Sequence, residues 1–211
     1  TFTEEKSGET DEWYYEDGLT DYLADATIDY PVIPEAPFVG SFSGSNSGVD
    51  WALQWLPEGG EVVAESYVNL IPTALGGTHE SGLRAGTFEA VKSFIEHHAL
   101  LPRGIKLQQE DVCGRMSFIL SARILDPQFQ GQVKEKLNSR EAVKLVSTMI
   151  RDPLEIWLNN HVEAGKAIAQ LAIRQAEAGA SFLNVNIGAR AMTDHGFLAD
   201  EVSEILGPVF A

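Results

Sequence analysis

Residues 116–125 read Met-Ser-Phe-Ile-Leu-Ser-Ala-Arg-Ile-Leu, MSFILSARIL. The run is dense in apolar side chains and of strand length, so it reads as a central strand of a sheet. Asp126-Pro127 closes it, because proline has no N–H to donate to a ladder. The chain then presents Phe129-Gln-Gly-Gln-Val-Lys-Glu-Lys-Leu137. Gly131 lets the backbone turn sharply or approach a ligand. Gln132 donates through its amide, and Lys134 carries a mobile point charge. That set suits a terminal phosphate, yet Gly-x-x-Lys is not a phosphate motif and the P-loop spacing is absent. On physics alone, a solvent-exposed turn is the plainer reading.

Working outward toward the N-terminus, Val62–Leu70, Trp51–Leu56 and Phe38–Phe42 are further strand candidates. The polar stretch Ser43–Gly48 is a hairpin loop between the last two. Pro31, Pro34 and Pro37 mark an extended linker. Leu19, Tyr22 and Leu23 have helical spacing, which places a short helix at 18–26. Thr1–Glu5 and the aromatic-rich Asp11–Glu16 read as strands. The chain carries no initiator Met, which suggests a piece of a longer protein.

After Gly76-Gly77, Thr78 is a plausible N-cap for a helix to about His98, with Leu83, Thr87, Val91 and Phe94/Ile95 as its apolar stripe. Toward the C-terminus, Asn138 and Glu141 resemble a capping box. Val143, Val146, Ile150 and Leu154 continue a helical stripe, which Pro153 must kink or restart with Asp152 as a new cap. Ala164–Ala178 is alanine-rich and helical, with Gly179 as its stop. A strand at 181–187 and a helix at 197–206 follow. The order of strands and helices gives an α+β or α/β domain of two layers.

The 211 residues suffice for one or two domains, and a hydrophobic fraction of 44% argues against global disorder. The net charge of −16 argues against a broad grip on DNA phosphates by this segment alone, without excluding a few basic contacts inside a larger assembly. Nothing approaches 18 consecutive apolar residues, and the acidic N-terminus has no targeting core. The lone Cys113 has no internal partner, which fits a reducing cytoplasm.

Other constellations are weaker. Gly76-Gly77 before a helix has the form of an anion-binding concavity, but no base follows until Arg84, so a tight strand-to-helix turn is preferred. His97 and His98 are adjacent and point about 100° apart on a helix, a poor metal pair. His79, His161 and His195 have no ligand-spaced partners. Trp13, Trp51, Trp55 and Trp157 read as packing residues rather than a base-stacking platform.

Several blocks taken together carry a resemblance. They are Trp13–Leu23 (WYYEDGLTDYL), Val49–Pro57 (VDWALQWLP), Ser66–Asn69 (SYVN), Gly76–His79 (GGTH), Gly82–Arg84 (GLR), Leu101–Gly104 (LPRG) and Asp126–Lys134 (DPQFQGQVK). In order and content they resemble the transducer domain of bacterial type IIA topoisomerase ATPase subunits, the family that includes the B subunits of topoisomerase IV and of gyrase, over residues 1–175.

The resemblance implies a mixed sheet with a left-handed βαβ crossover and long C-terminal helices. It implies a loop that reaches into the ATP site of an upstream domain. There Lys134 is the γ-phosphate contact, the catalytic candidate, and Gln132 its companion. Val133 stands where the family usually has Thr. The implied cofactor is ATP with Mg²⁺, held mainly by the upstream domain. The implied partners are DNA, the A subunit of topoisomerase IV and a second copy of the B subunit, with no membrane. Without the upstream domain, the segment alone is expected not to hydrolyse ATP.

Residues 176–211 leave the family pattern. They hold five acidic side chains against one basic, Arg190, and faintly resemble a helix-to-strand turn of a β/α barrel. They are far too short to form one and are read as an atypical extension of unknown role. The competing reading for the whole is an interaction or scaffold fragment that has lost the ATP link.

Overall fold

The computed structural model describes residues 14–178 and the short strands at 2–3 and 10–11, all within one unit, Thr1–Ala180. In chain order the elements are β1 Phe2–Thr3, β2 Thr10–Asp11, α1 Leu19–Ala26, β3 Ile33–Ser43, β4 Ser47–Trp55, β5 Ala64–Val68 and β6 Ile71–Pro72. They continue with α2 Thr78–His97, α3 Gln109–Cys113, β7 Met116–Ile124, α4 Arg140–Asn160 and α5 Val162–Glu177. The strand and helix expected beyond Gly179 lie outside the described residues.

The stretch MSFILSARIL does form the central strand. The five-stranded sheet runs β3-β4-β7-β5-β6, with β7 in the middle. It pairs antiparallel with β4 (Leu53↔Phe118) and parallel with β5 (Ser66↔Leu120). The parallel pair is joined by a crossover through β6, α2 and α3, as parallel strands require. The sheet is therefore mixed, and the fold is α/β.

Alternation along the strands divides the core. Val49, Trp51, Leu53 and Trp55 of β4, with Met116, Phe118 and Leu120 of β7, face a large cluster. Leu83, Val91, Phe94 and Ile95 of α2, Val146, Ile150, Leu154 and Leu158 of α4, and Ile168 and Leu171 of α5 complete it. On the other face, Ala52 and Ile119 meet Leu23 of α1. Both faces are thus covered at Met116–Leu120, which explains a nearly continuous apolar run there. Farther on, Arg123 is exposed and pairs with Asp50.

Helix α2 lies unusually close to α4. A Cβ on Gly82 would sit 2.6 Å from the Val143 carbonyl oxygen, and one on Gly86 2.5 Å from that of Ser147. Only glycine permits this backbone-to-backbone approach.

Several sequence expectations are corrected. Pro34 and Pro37 belong to β3, not to a linker. β3 is an edge strand whose register shifts between Ile33 and Phe38, where proline's missing N–H costs no ladder bond. The second described strand is Thr10–Asp11, and within the expected Asp11–Glu16 strand the chain is irregular at Tyr14-Tyr15 before turning through Glu16–Gly18. Gly18, at φ +59°, redirects it into α1.

The N-cap of α2 is Gly77, not Thr78, whose N–H is taken by the Leu137 carbonyl at 3.0 Å. The N-cap of α4 is Ser139, not Asn138, and no side chain caps that end, because Ser139 Oγ accepts from the Gln128 N–H at 2.8 Å. Pro153 does not restart α4. The helix runs through it, with Asp152 already helical, because Ile150, Leu154 and Leu158 on either side are all held in the core. The short elements β6 and α3 carry too little periodicity to have been expected.

Candidate functional site

The loop after β7 is built as a folded base with an open tip. At the base, Asn138 N–H donates to the Gln128 carbonyl at 2.7 Å, and Gln130 N–H to the Lys136 carbonyl at 2.8 Å. Phe129 and Leu137 form an antiparallel bridge between these bonds. Leu137 is buried with Val68 of β5 and Ala142 of α4, and Phe129 and Ile124 pack against that cluster. Phe129 and Leu137, the first and last residues of FQGQVKEKL, thus root the loop in a small core of its own.

A second set of backbone bonds ties the loop to the Gly-Gly turn before α2. Leu75 N–H donates to the Glu135 carbonyl, Leu137 N–H to the Gly76 carbonyl and Thr78 N–H to the Leu137 carbonyl, each at 3.0 Å. Gly77 and Leu137 pair as a parallel bridge. The two motifs singled out in the sequence, some fifty residues apart, are in direct contact. Gly76-Gly77 is a strand-to-helix turn whose outward hydrogen bonds go to this loop.

The tip is Gly131–Lys134. Gly131 takes φ +80°, and Lys134 takes φ +59°, a left-handed conformation uncommon for a residue with a side chain. Gln132, Val133 and Lys134 are all exposed, Val133 by 74%. Neither the Gln132 amide nor the Lys134 ammonium has a partner among the described residues. The arrangement offers one mobile cation and one amide on a tip whose stem is fixed. The tip itself stands exposed, and at its base Lys136, Leu137 and Asn138 line an open pocket together with Gly77, Glu80 and Arg84.

At the start of α2 lies a buried polar chain that sequence reading did not connect. Thr73 Oγ1 is 3.0 Å from His79 Nε2 and 2.6 Å from Ser66 Oγ. Ser66 Oγ donates to Glu80 Oε1 at 2.5 Å. His79 has no exposed surface, and its Nδ1 has no hydrogen-bond partner among the described residues. Burial holds its pKa down at about 4, so the ring is neutral near pH 7. The chain locks the first turn of α2 to β5 and to the turn after β6. The only sequence sign of it was a histidine directly after Gly-Gly-Thr.

The remaining candidates serve packing. Trp51 and Trp55 are core, and Trp55 Nε1–H donates to the Val112 carbonyl at 2.8 Å. Trp157 packs on Phe38 and stacks with His161. Trp13 and His195 lie outside the described residues. Among the described residues, no three His, Cys, Asp or Glu side chains stand together as a metal site, and no helix is long and apolar enough to cross a membrane.

The mixed five-stranded sheet with these helices is similar to part of the ATPase regions of type II topoisomerases. It matches the topoisomerase IV ATP-binding domain of Francisella tularensis with a TM-score of 0.70 at 34% identity, over 79% of this chain and 44% of that one. It also matches the 43K ATPase domain of Thermus thermophilus gyrase B with a TM-score of 0.74, over 84% and 48%. At 22% identity this second match speaks for the fold.

The sequence places the chain within that class. The family described as DNA gyrase B matches residues 18–181, and the chain belongs to it. It is 53% identical over 175 residues to the B subunit of DNA topoisomerase 4 from Pseudomonas aeruginosa, covering 83% of this chain. It is 49% identical over 177 residues to the Escherichia coli protein of the same name, covering 84%. It spans 28% of the length of each.

Proposed function

We propose that residues 1–175 are the transducer module of a topoisomerase IV B subunit, and that the tip at Gln132–Lys134 reads the γ-phosphate of ATP bound in a neighbouring domain. The observation that carries this reading is the loop itself. An exposed lysine with no partner among the described residues stands on a stem fixed by the Leu75–Thr78 backbone. That is a poor way to stabilise this domain and a suitable way to contact an anion held elsewhere.

An ammonium at the γ-phosphate neutralises charge as the terminal phosphoryl group leaves, which lowers the barrier without forming a covalent bond. Gln132 adds a neutral donor beside it. The contact exists with ATP and is lost with ADP. That difference in binding is what a two-state relay requires. Through it, ATP binding and hydrolysis are coupled to DNA strand passage and decatenation, and so to chromosome segregation, in a cytoplasmic assembly with the A subunit and a second copy of the B subunit. Val133 supplies no hydroxyl, so the contact rests on the amide and the ammonium. Residues 176–211 have no role in this reading.

In the intact protein, Lys134→Ala is expected to lower ATP turnover by about 10²-fold or more, the usual effect of removing one positioned transition-state donor. Turnover within a factor of two of the parent would refute the assignment.

A further inference from the structure

We infer that Gly77 is a positioning residue for the phosphate contact: it lets the Leu137 backbone lie against the start of α2, and so sets where Lys134 stands. This rests on the reading of Lys134 given above and adds the part of the chain that aims it.

Two attachments bracket the tip. On one side, Gln130 N–H holds the Lys136 carbonyl. On the other, Leu75 N–H holds the carbonyl of Glu135, the residue next to Lys134. The second attachment is possible only because the backbones at 75–78 and 135–137 lie side by side. Gly77 is where they touch. It adopts φ +138°, which side-chain-bearing residues rarely reach, and a Cβ there would sit 2.6 Å from Leu137 N and closer still to its carbonyl oxygen. Those are the two groups that bond to Gly76 and Thr78. Any side chain at 77 must push Leu137 away and open the zipper that fixes Glu135.

The same contact carries displacement onward. Gly77 is the N-cap of α2, and α2 meets the α4 backbone at Gly82 and Gly86. Interfaces packed backbone to backbone do not deform gradually, so a shift of the tip moves α2 and α4 with it. The polar chain from His79 through Thr73 and Ser66 to Glu80 fixes the same turn of α2 to the sheet. Lys134 is therefore mounted on the α2 N-terminus rather than on a free loop.

A double-mutant cycle of ATP turnover in the intact protein separates aiming from mere support, because residues acting through one another are not additive. With Lys134 present, Gly77→Ala is expected to lower kcat by about tenfold or more, since a misplacement of about 1 Å is enough for that. With Lys134 already replaced by Ala, the same change should lower kcat less than about twofold. A general loss of stability would instead lower activity by the same factor in both backgrounds.

An equal factor in both, or no effect with Lys134 present, overturns the role of Gly77 and leaves the reading of Lys134 standing. No effect of Lys134→Ala removes that reading and this one together. If Gly77→Ala does not fold, Gly76→Ala carries the same test. At φ +63° a side chain there strains the backbone whose carbonyl accepts from Leu137 N–H, and its Cβ would sit 2.6 Å from Oε2 of Glu80, the carboxylate that Ser66 holds.

Discussion

Strand β7 and the loop that follows it are neighbours in sequence and opposites in what constrains them. From Met116 to Leu120 every side chain is buried, and the residue types follow from the two layers that cover the strand. From Gly131 to Lys136 every residue is exposed. No described side chain or backbone group bonds to the Gln132 amide or the Lys134 ammonium. The strand is specified by this domain's own core, whereas the tip is left unconstrained by it and, on the proposed reading, serves a contact outside the domain. A strand substitution should therefore cost stability, and a tip substitution should cost activity alone.

The largest expected effect tests the strand side of that contrast. Phe118 has no exposed surface and packs in the main cluster. Phe118→Ala should destabilise the domain by about 3–5 kcal/mol in urea unfolding, as such truncations do in packed cores. Lys134→Ala should change the same midpoint by less than about 0.5 kcal/mol, the range for surface sites. Similar losses from the two would end the comparison.

Next comes the buried histidine in the first turn of α2. Its folded pKa of about 4 lies below the ordinary 6.5, so the unfolded chain binds the proton between those values and the native state does not. Its contribution is present in full above pH 6.5 and is lost as pH falls toward 4, about 3 kcal/mol over that window. Unfolding midpoints from pH 7 to pH 4.5 should fall more steeply for the parent chain than for His79→Gln. Parallel curves would mean that His79 is not held neutral by the fold. The smallest expected effect is at the tip. Val133→Thr adds a hydroxyl to a side chain that is 74% exposed and should leave the unfolding midpoint within about 0.5 kcal/mol. A larger shift would mean that the tip does contribute to the domain's stability.

The same contrast explains what could be read in advance. The central position of MSFILSARIL, the stripe of α2 and the alanine-rich α5 were legible, because burial over a full element leaves a periodic record. Boundaries were less so. Pro34 and Pro37 looked like linker because proline's edge-strand use depends on which strand ends the sheet. Pro153 looked like a break because the packing of Ile150, Leu154 and Leu158 that carries α4 through it is tertiary. Asn138 looked like a cap because the engagement of Ser139 by Gln128 comes from the loop.

At the site, Gln132 and Lys134 carried only the weak local signal of a glycine, an amide and a charge, and it took the resemblance to prefer a phosphate contact over a plain turn. The backbone pairing of Gly77 with Leu137 was not legible at all. It involves no side-chain chemistry, only the absence of a Cβ at one position and a bond across some sixty residues.

Amide hydrogen exchange on the intact protein, loaded with a non-hydrolysable ATP analogue and then with ADP, tests the γ-phosphate reading most directly. The account predicts slower exchange at Leu75, Gln130 and Leu137, whose N–H groups hold the loop, with the analogue and not with ADP. It also predicts no difference at Phe118–Leu120. Equal protection by both nucleotides, or none by either, would contradict the claim that this loop distinguishes ATP from ADP.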